Sequence, residues 1–185
     1  MDEFLNSWQR DARGKALDLG CGEGRDAIHL AKRGYSVTAV DISAVGLEKL
    51  RTDARKEGKT VECHQMDVSS FALQENSFDV IVARTILDHL PQPDTQILAA
   101  RMTLALARNG LLFVTVFTID DPGALEDKNK ASECAHHIKH YFSRNELREL
   151  FPHLQLLLYQ EAVELDVSHG QPHYHGKANY IGRKL

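Results

Sequence analysis

The run Ala16-Leu-Asp-Leu-Gly-Cys-Gly-Glu-Gly-Arg25 constrains this chain more than any other. An apolar strand carrying one acid, Asp18, enters a cluster of glycines at Gly20, Gly22 and Gly24, and a helical pattern follows at once. A strand-to-helix turn this sharp needs residues that tolerate positive φ, and close approach of a ligand to the backbone needs residues without Cβ. Glycine at alternate positions meets both needs. A second strand then ends in another acid, Asp41. Strand, glycine turn, helix and strand together make a nucleotide-binding βαβ unit.

The kind of nucleotide follows from charge. A dinucleotide site carries G-x-G-x-x-G, with the pyrophosphate on the helix N-terminus. Here the pattern is G-x-G-x-G, with Asp18 in the strand before it and Glu23 inside the turn. Two carboxylates repel a pyrophosphate, whereas they attract the ammonium and sulfonium of S-adenosylmethionine. Asp41 stands where a carboxylate accepts both ribose hydroxyls, a place shared with NAD sites. The pattern therefore points to S-adenosylmethionine as cofactor and S-adenosylhomocysteine as product.

Composition narrows the rest. A chain of 185 residues fits one domain, and 43% hydrophobic residues supply a core. A formal charge of −4 gives no general attraction to phosphate backbones, so nucleic acid is not the expected partner. Cys21, Cys63 and Cys134 show no paired spacing and read as reduced thiols. The N-terminus has acids where a signal peptide needs basic residues, and no apolar run is long enough to span a membrane. A cytoplasmic protein with no membrane partner is expected.

Along the chain, a short helix within residues 1–14 contains Phe4, Leu5 and Trp8. Strands are read at Lys15–Leu19, Tyr35–Val40, Thr60–Gln65, Phe78–Ala83 and Leu111–Phe117, and helices at Asp26–Arg33, from Ser43 to Glu57 and at Thr95–Ala107. This alternation implies a doubly wound parallel sheet. Leu154–Val167 and Ala178–Arg183 are two further strands with a short polar segment between them, and they read as an antiparallel hairpin at a sheet edge. Residues 119–140 form the longest stretch without periodicity and read as a lid.

These residues resemble the class I S-adenosylmethionine-dependent methyltransferases. Leu17-Asp-Leu-Gly-Cys-Gly-Glu-Gly24 looks like their first motif, Ala39-Val-Asp41 like their ribose-binding acid, and Gln65-Met-Asp-Val68 falls where their third strand ends. The resemblance implies a Rossmann-like α/β fold with a mostly parallel seven-stranded sheet and an antiparallel last strand. It implies cofactor contacts from Asp18, Gly20, Cys21, Gly22, Gly24, Asp41 and Ile42. Asp67 would meet the adenine amino group, with Met66 and Val68 flanking the ring, and Ala83 would stand at the exit of the fourth strand. Gly22–Asp41 and Phe142-Ser-Arg-Asn-Glu-Leu147 are further similar to the tellurite-resistance methyltransferase group.

Methyl transfer from a sulfonium leaves the protein mainly to orient and desolvate, with a base needed for some oxygen or nitrogen nucleophiles. After the fourth strand, Arg84 is a candidate to orient an anionic acceptor and His89 a candidate base; a solvated turn carrying Asp88 and His89 is the alternative. In the tail, His173 and His175 share one face if extended. They read first as acceptor-facing. With His169 they form a three-nitrogen set of metal-ligand type, and a turn whose imidazoles bond backbone is the third reading. The Asn/Asp-Pro-Pro-Tyr and Pro-Cys signatures of nucleobase and amide methylation are missing. The expected function is methyl transfer to a small molecule by in-line displacement; the alternatives are a non-catalytic cofactor-binding module and an RNA or protein methyltransferase. The acceptor and the oligomeric state are not legible at this level.

Overall fold

A computed structural model describes residues 1–7, 14–125, 138–167 and 171–185. Seven strands form one sheet: β1 (Lys15–Leu19), β2 (Ser36–Asp41), β3 (Glu62–Gln65), β4 (Phe78–Arg84), β5 (Leu106–Phe117), β6 (Gln155–Asp166) and β7 (His173–Arg183). Their order is β3-β2-β1-β4-β5-β7-β6. β7 runs antiparallel to both β5 and β6, and the pairs from β3 to β5 are parallel. The order reverses between β1 and β4, so ligands are expected at the carboxyl ends of those strands.

The helices are α1 (Asp2–Ser7), α2 (Arg25–Lys32), α3 (Ala44–Lys56), α4 (Gln92–Ala105), and the short α5 (Pro122–Leu125) and α6 (Glu146–Glu149). Period-two alternation sends neighbouring strand residues to opposite faces. Ala16, Val80, Val82 and Phe113 pack with Leu30 of α2 and Leu47 and Leu50 of α3. Leu17, Ile81, Leu112 and Val114 pack on the other face with Leu98 and Met102 of α4, and with Phe142, Leu147 and Phe151. Two cores therefore clamp the sheet, and strands buried on both sides read as continuous apolar runs.

Local signals act as their chemistry requires. Ser43 caps α3, its hydroxyl accepting from Gly46 N at 3.0 Å. Gly34 ends α2 in the left-handed region at φ 93°.

Several boundaries differ from the sequence reading, three of them with a cause in the strand pairing. α4 stops at Ala105 rather than Ala107, and β5 begins at Leu106 rather than Leu111, because Leu106 pairs with Phe78 ahead of an irregularity in the β4–β5 register. The last strand begins at His173 rather than Ala178, since His173, Tyr174 and His175 pair with Asp166, Leu165 and Glu164 of β6. Leu5 of α1 is buried, while Trp8 lies outside the described residues. Among the described residues, no helix is long and apolar enough to cross a membrane.

Candidate active site

The glycine turn builds the first half of the site. Gly20 and Cys21 donate to Val40 O at 2.8 and 3.2 Å, which ties the turn to the end of β2. Gly20, Gly22 and Gly24 all adopt positive φ. A Cβ on Gly20 would strike Ile86, whereas one on Gly22 would project into open space, so Gly22 presents bare backbone to a ligand. Gly46 of α3, which sequence reasoning missed, lets that helix approach the turn, because a Cβ there would lie 2.8 Å from Gly22 O.

Asp41 braces the turn from the next strand. Its Oδ2 accepts from Gly22 N and its Oδ1 from Ser43 N, both at 2.7 Å. Each carboxylate oxygen keeps a second lone pair for a ribose hydroxyl. Next to it, Ile42 is 73% exposed and Met66 36%, an unusual pair of uncovered apolar side chains at one strand edge. Val68, two residues after Met66, is buried. Asp67 Oδ1 accepts from the backbone and hydroxyl of Ser69, which hold its carboxyl below the usual range and leave the other oxygen for an amino group. Ala83 is fully buried at the end of β4. Glu23 pairs with Lys49 on the surface.

Asp18 is the electrostatic centre of this half. It is buried, and its Oδ2 has no hydrogen-bond partner among the described residues. Burial, reinforced by the Asp26 carboxylate, pushes its carboxyl up to about 7. The Cys21 thiol is likewise pushed up by burial and is no nucleophile. Arg84 pairs with Asp26 at 3.0 Å, so its guanidinium sits beside the Asp18 cluster. A buried, orphaned carboxylate oxygen, an open glycine cradle and two exposed apolar side chains fit the ammonium, backbone-hugging chain and adenine of S-adenosylmethionine.

A pH effect follows from Asp18. An acid raised from 3.8 to about 7 keeps its proton in the folded chain where the unfolded chain has lost it. Its contribution to stability is complete below the unfolded value and falls as pH rises toward about 7. A cofactor ammonium placed on Asp18 favours the carboxylate. Binding is therefore expected to release a proton below about pH 7 and to tighten as pH rises to that point. Calorimetry in two buffers of different ionisation heat measures the release; identical heats in both would remove Asp18 from the ammonium contact.

The second half lies over the carboxyl ends of β4, β5 and the start of β7. Thr85, directly after β4, holds φ 48°, a strained value for a β-branched residue, and donates to Thr115 O at 2.7 Å. Leu87–His89 form a single 3-10 turn. The two residues of that turn separate: His89 is half-buried, while Asp88 is fully buried instead of solvated. Asp88 Oδ2 accepts from Phe117 N at 3.3 Å, its Oδ1 has no hydrogen-bond partner among the described residues, and burial pushes the carboxyl up to about 6. Its carbonyl accepts from Lys139 N and His140 N, and Ile119 N donates to Phe142 O, so both ends of the 119–140 stretch are pinned here. Residues 126–137, the bulk of the expected lid, lie outside the described residues.

The hairpin histidines meet Asp121. His173 Nε2 and His175 Nε2 are 2.8 Å apart, and His175 Nδ1 stands 2.9 Å from Asp121 Oδ2. The Phe117 ring packs on His175 at 4.8 Å between centroids. Asp121 escaped the sequence reading because its surroundings, Ile119-Asp-Asp-Pro-Gly123, read as an ordinary turn and its partner is 54 residues away. His169 lies outside the described residues. Among the described residues no group of three or more His, Cys, Asp or Glu could hold a metal ion.

Comparison with known proteins agrees with this geometry. A family model described as a methyltransferase domain matches residues 16–110. The chain belongs to this family and carries the class I fold of the S-adenosylmethionine-dependent methyltransferases. It is 36% identical over 104 residues to a ubiquinone biosynthesis O-methyltransferase of Histophilus somni, covering 54% of this chain and 43% of that one. It is 28% identical over 148 residues to the probable S-adenosyl-L-methionine-dependent methyltransferase TehB of Haemophilus influenzae, covering 80% of this chain and 48% of that one. The crystal structure of TehB from Haemophilus influenzae superposes with TM-score 0.80 at 22% identity, over 100% of this chain and 62% of that one. A Burkholderia thailandensis 1,6-didemethyltoxoflavin-N1-methyltransferase, solved with S-adenosylhomocysteine, superposes with TM-score 0.69 at 22% identity, over 100% of this chain and 86% of that one. The chain spans about half the length of the curated relatives it matches.

Proposed function

We propose that this chain transfers a methyl group from S-adenosylmethionine to a small-molecule acceptor bound over β4, β5 and β7. The observation that carries the reading is the Asp88–Asp121–histidine cluster over the ends of β4 and β5. It is a compact polar floor of two buried carboxylates and two partly buried imidazoles, with the Phe117 ring packed against it. Such a floor suits a small polar ring or chain and not a phosphate backbone. The names of the ubiquinone and toxoflavin relatives, both small-molecule enzymes, support the same acceptor class.

In this reading Asp18 and the Gly20–Gly24 turn, Cys21 included, hold the amino acid end of the cofactor. Asp41 holds the ribose, Ile42, Met66, Asp67 and Val68 hold the adenine, and Ala83 backs the site. The bound cofactor supplies an electrophilic methyl on a sulfonium. Arg84 keeps Asp26 in place beside Asp18, and His89, His173 and His175 face the acceptor for an in-line displacement.

Titration with S-adenosylmethionine, S-adenosylhomocysteine and NAD is the first test. The two adenosyl sulfur compounds are expected to bind and NAD to fail; tight NAD binding would overturn the assignment. Screening sulfur, oxygen and nitrogen acceptors with labelled cofactor then tests turnover. Cofactor binding without label transfer to any small acceptor, but with transfer to RNA or protein, would reassign the substrate class.

A further inference from the structure

We propose that Asp121, His175 and His173 work as one proton-sharing unit, with Asp121 as its positioning residue; this rests on the reading that the hairpin faces the acceptor. Among the described residues the unit is a linear chain of contacts. His173 Nδ1 lies 2.8 Å from Gln171 O, the two Nε2 atoms lie 2.8 Å apart, and His175 Nδ1 lies 2.9 Å from Asp121 Oδ2. Three hydrogen bonds need three protons. A carbonyl only accepts, so His173 Nδ1 carries one; the second lies between the rings, and the third between His175 and Asp121. Two neutral imidazoles and a carboxylate bring only two. With all three bonds made, the unit holds one further proton, and its charge is spread over two rings against the Asp121 carboxylate.

The surroundings hold this arrangement. Asp121 is 4% exposed, and its Oδ2 also accepts from Gly176 N at 3.0 Å while its Oδ1 accepts from Gly123 N at 2.8 Å. A Cβ on Gly176 would lie 2.3 Å from Asp121 N, so only glycine lets β7 approach the aspartate this closely. Phe117 covers one face of His175, and the two imidazoles meet edge to face at 4.5 Å. Among the described residues, the other ionisable groups on the elements packed here include Asp88, bonded to Phe117 N, Tyr141 beside Asp121 and Asp88, Lys177, which pairs with Asp166 and lies over the Phe117 ring, and, on β6, Glu164 and Asp166, opposite His175 and His173 in the strand register. In this state the pair presents positive charge, rather than a basic nitrogen, to an acceptor over β5 and β7. On giving up the extra proton it becomes a base oriented by Asp121, as a carboxylate fixes the tautomer of a histidine.

The test is long-range proton–nitrogen NMR of the histidine rings in the full chain at neutral pH, in the parent, Asp121→Asn and His173→Gln. The parent is expected to show His175 protonated and strongly bonded at Nδ1, with one imidazolium signature averaged over the two rings. Asp121→Asn should lose the low-field Nδ1 proton and return His175 to the ordinary Nε2–H tautomer. His173→Gln should keep the Nδ1–H bond to Asp121 and lose the imidazolium signature; should the aspartate variant not fold, this change alone decides. Two neutral rings in the parent, spectra unchanged by both variants, or stoichiometric metal bound at the pair would each overturn the proposal. No methyl transfer enters the readout, so failure of the enzymatic reading would appear in the cofactor titration and leave this result standing.

Discussion

Asp41→Ala is expected to weaken S-adenosylmethionine binding by about 100-fold or more. Two charge-assisted hydrogen bonds to ribose are lost, each worth roughly 1.5–3 kcal/mol, and roughly 1.4 kcal/mol is tenfold in affinity. The loss goes further than the ligand. Gly22 N and Ser43 N both donate to this carboxylate, so its removal loosens Gly22, with the turn still tied to β2 through Val40 O, and leaves the α3 cap without its brace. Calorimetric titration, with circular dichroism to confirm the fold, measures the effect. A folded variant that binds as tightly as the parent would take Asp41 out of the site.

Gly24→Ala is expected to destabilise the fold by about 2–5 kcal/mol, from two separate costs. Gly24 stands at φ 83°, where an L side chain is strained by roughly 1–2 kcal/mol. Its new Cβ would lie 2.2 Å from Leu50 Cδ1 and 2.9 Å from Leu50 Cβ, and Leu50 is fully buried against α2 and the sheet. Overpacking of this kind costs roughly 1–3 kcal/mol. Chemical denaturation of parent and variant reads the sum. The control is Gly22→Ala, whose Cβ meets open space and whose cost is expected to be the backbone strain alone. Equal midpoints for Gly24→Ala and the parent would mean that Leu50 and the turn relax freely.

The cofactor half was legible because its signals are local. Asp18, the three glycines and Asp41 are tied to strand ends that the apolar runs mark, and the physics of each is written within a few residues. The half proposed to hold the acceptor depends on distant partners. Nothing near Asp121 announces that His175 and Gly176 will close on it, and nothing near Asp88 shows that Phe117 and the 139–140 backbone will bury it. Boundary errors have the same origin. Leu104-Ala-Leu-Ala107 is apolar at every position, so it suits a helix end or a strand start equally, and the pairing of Leu106 with Phe78 decides. The His173-Tyr-His-Gly-Lys177 run lacks apolar alternation, because it belongs to an arm where Val163, Leu165 and Tyr174 remain exposed; only its pairing with β6 makes it a strand.

The place of β7 has a consequence for how the chain is made. Its partners are β5 and β6, so this strand, made after both, is inserted between two that are already present, with Leu111 waiting for Arg183 and Phe117 for Lys177. Until it emerges, β5 has an open edge over Leu111–Phe117, most of it buried in the finished sheet. Such long-range closure is slow and leaves a sticky intermediate. A nascent chain arrested before Ala178 would hold every residue of the glycine turn while the β5 edge from Leu111 to Val116 still lacked its partners, Ala178 to Arg183.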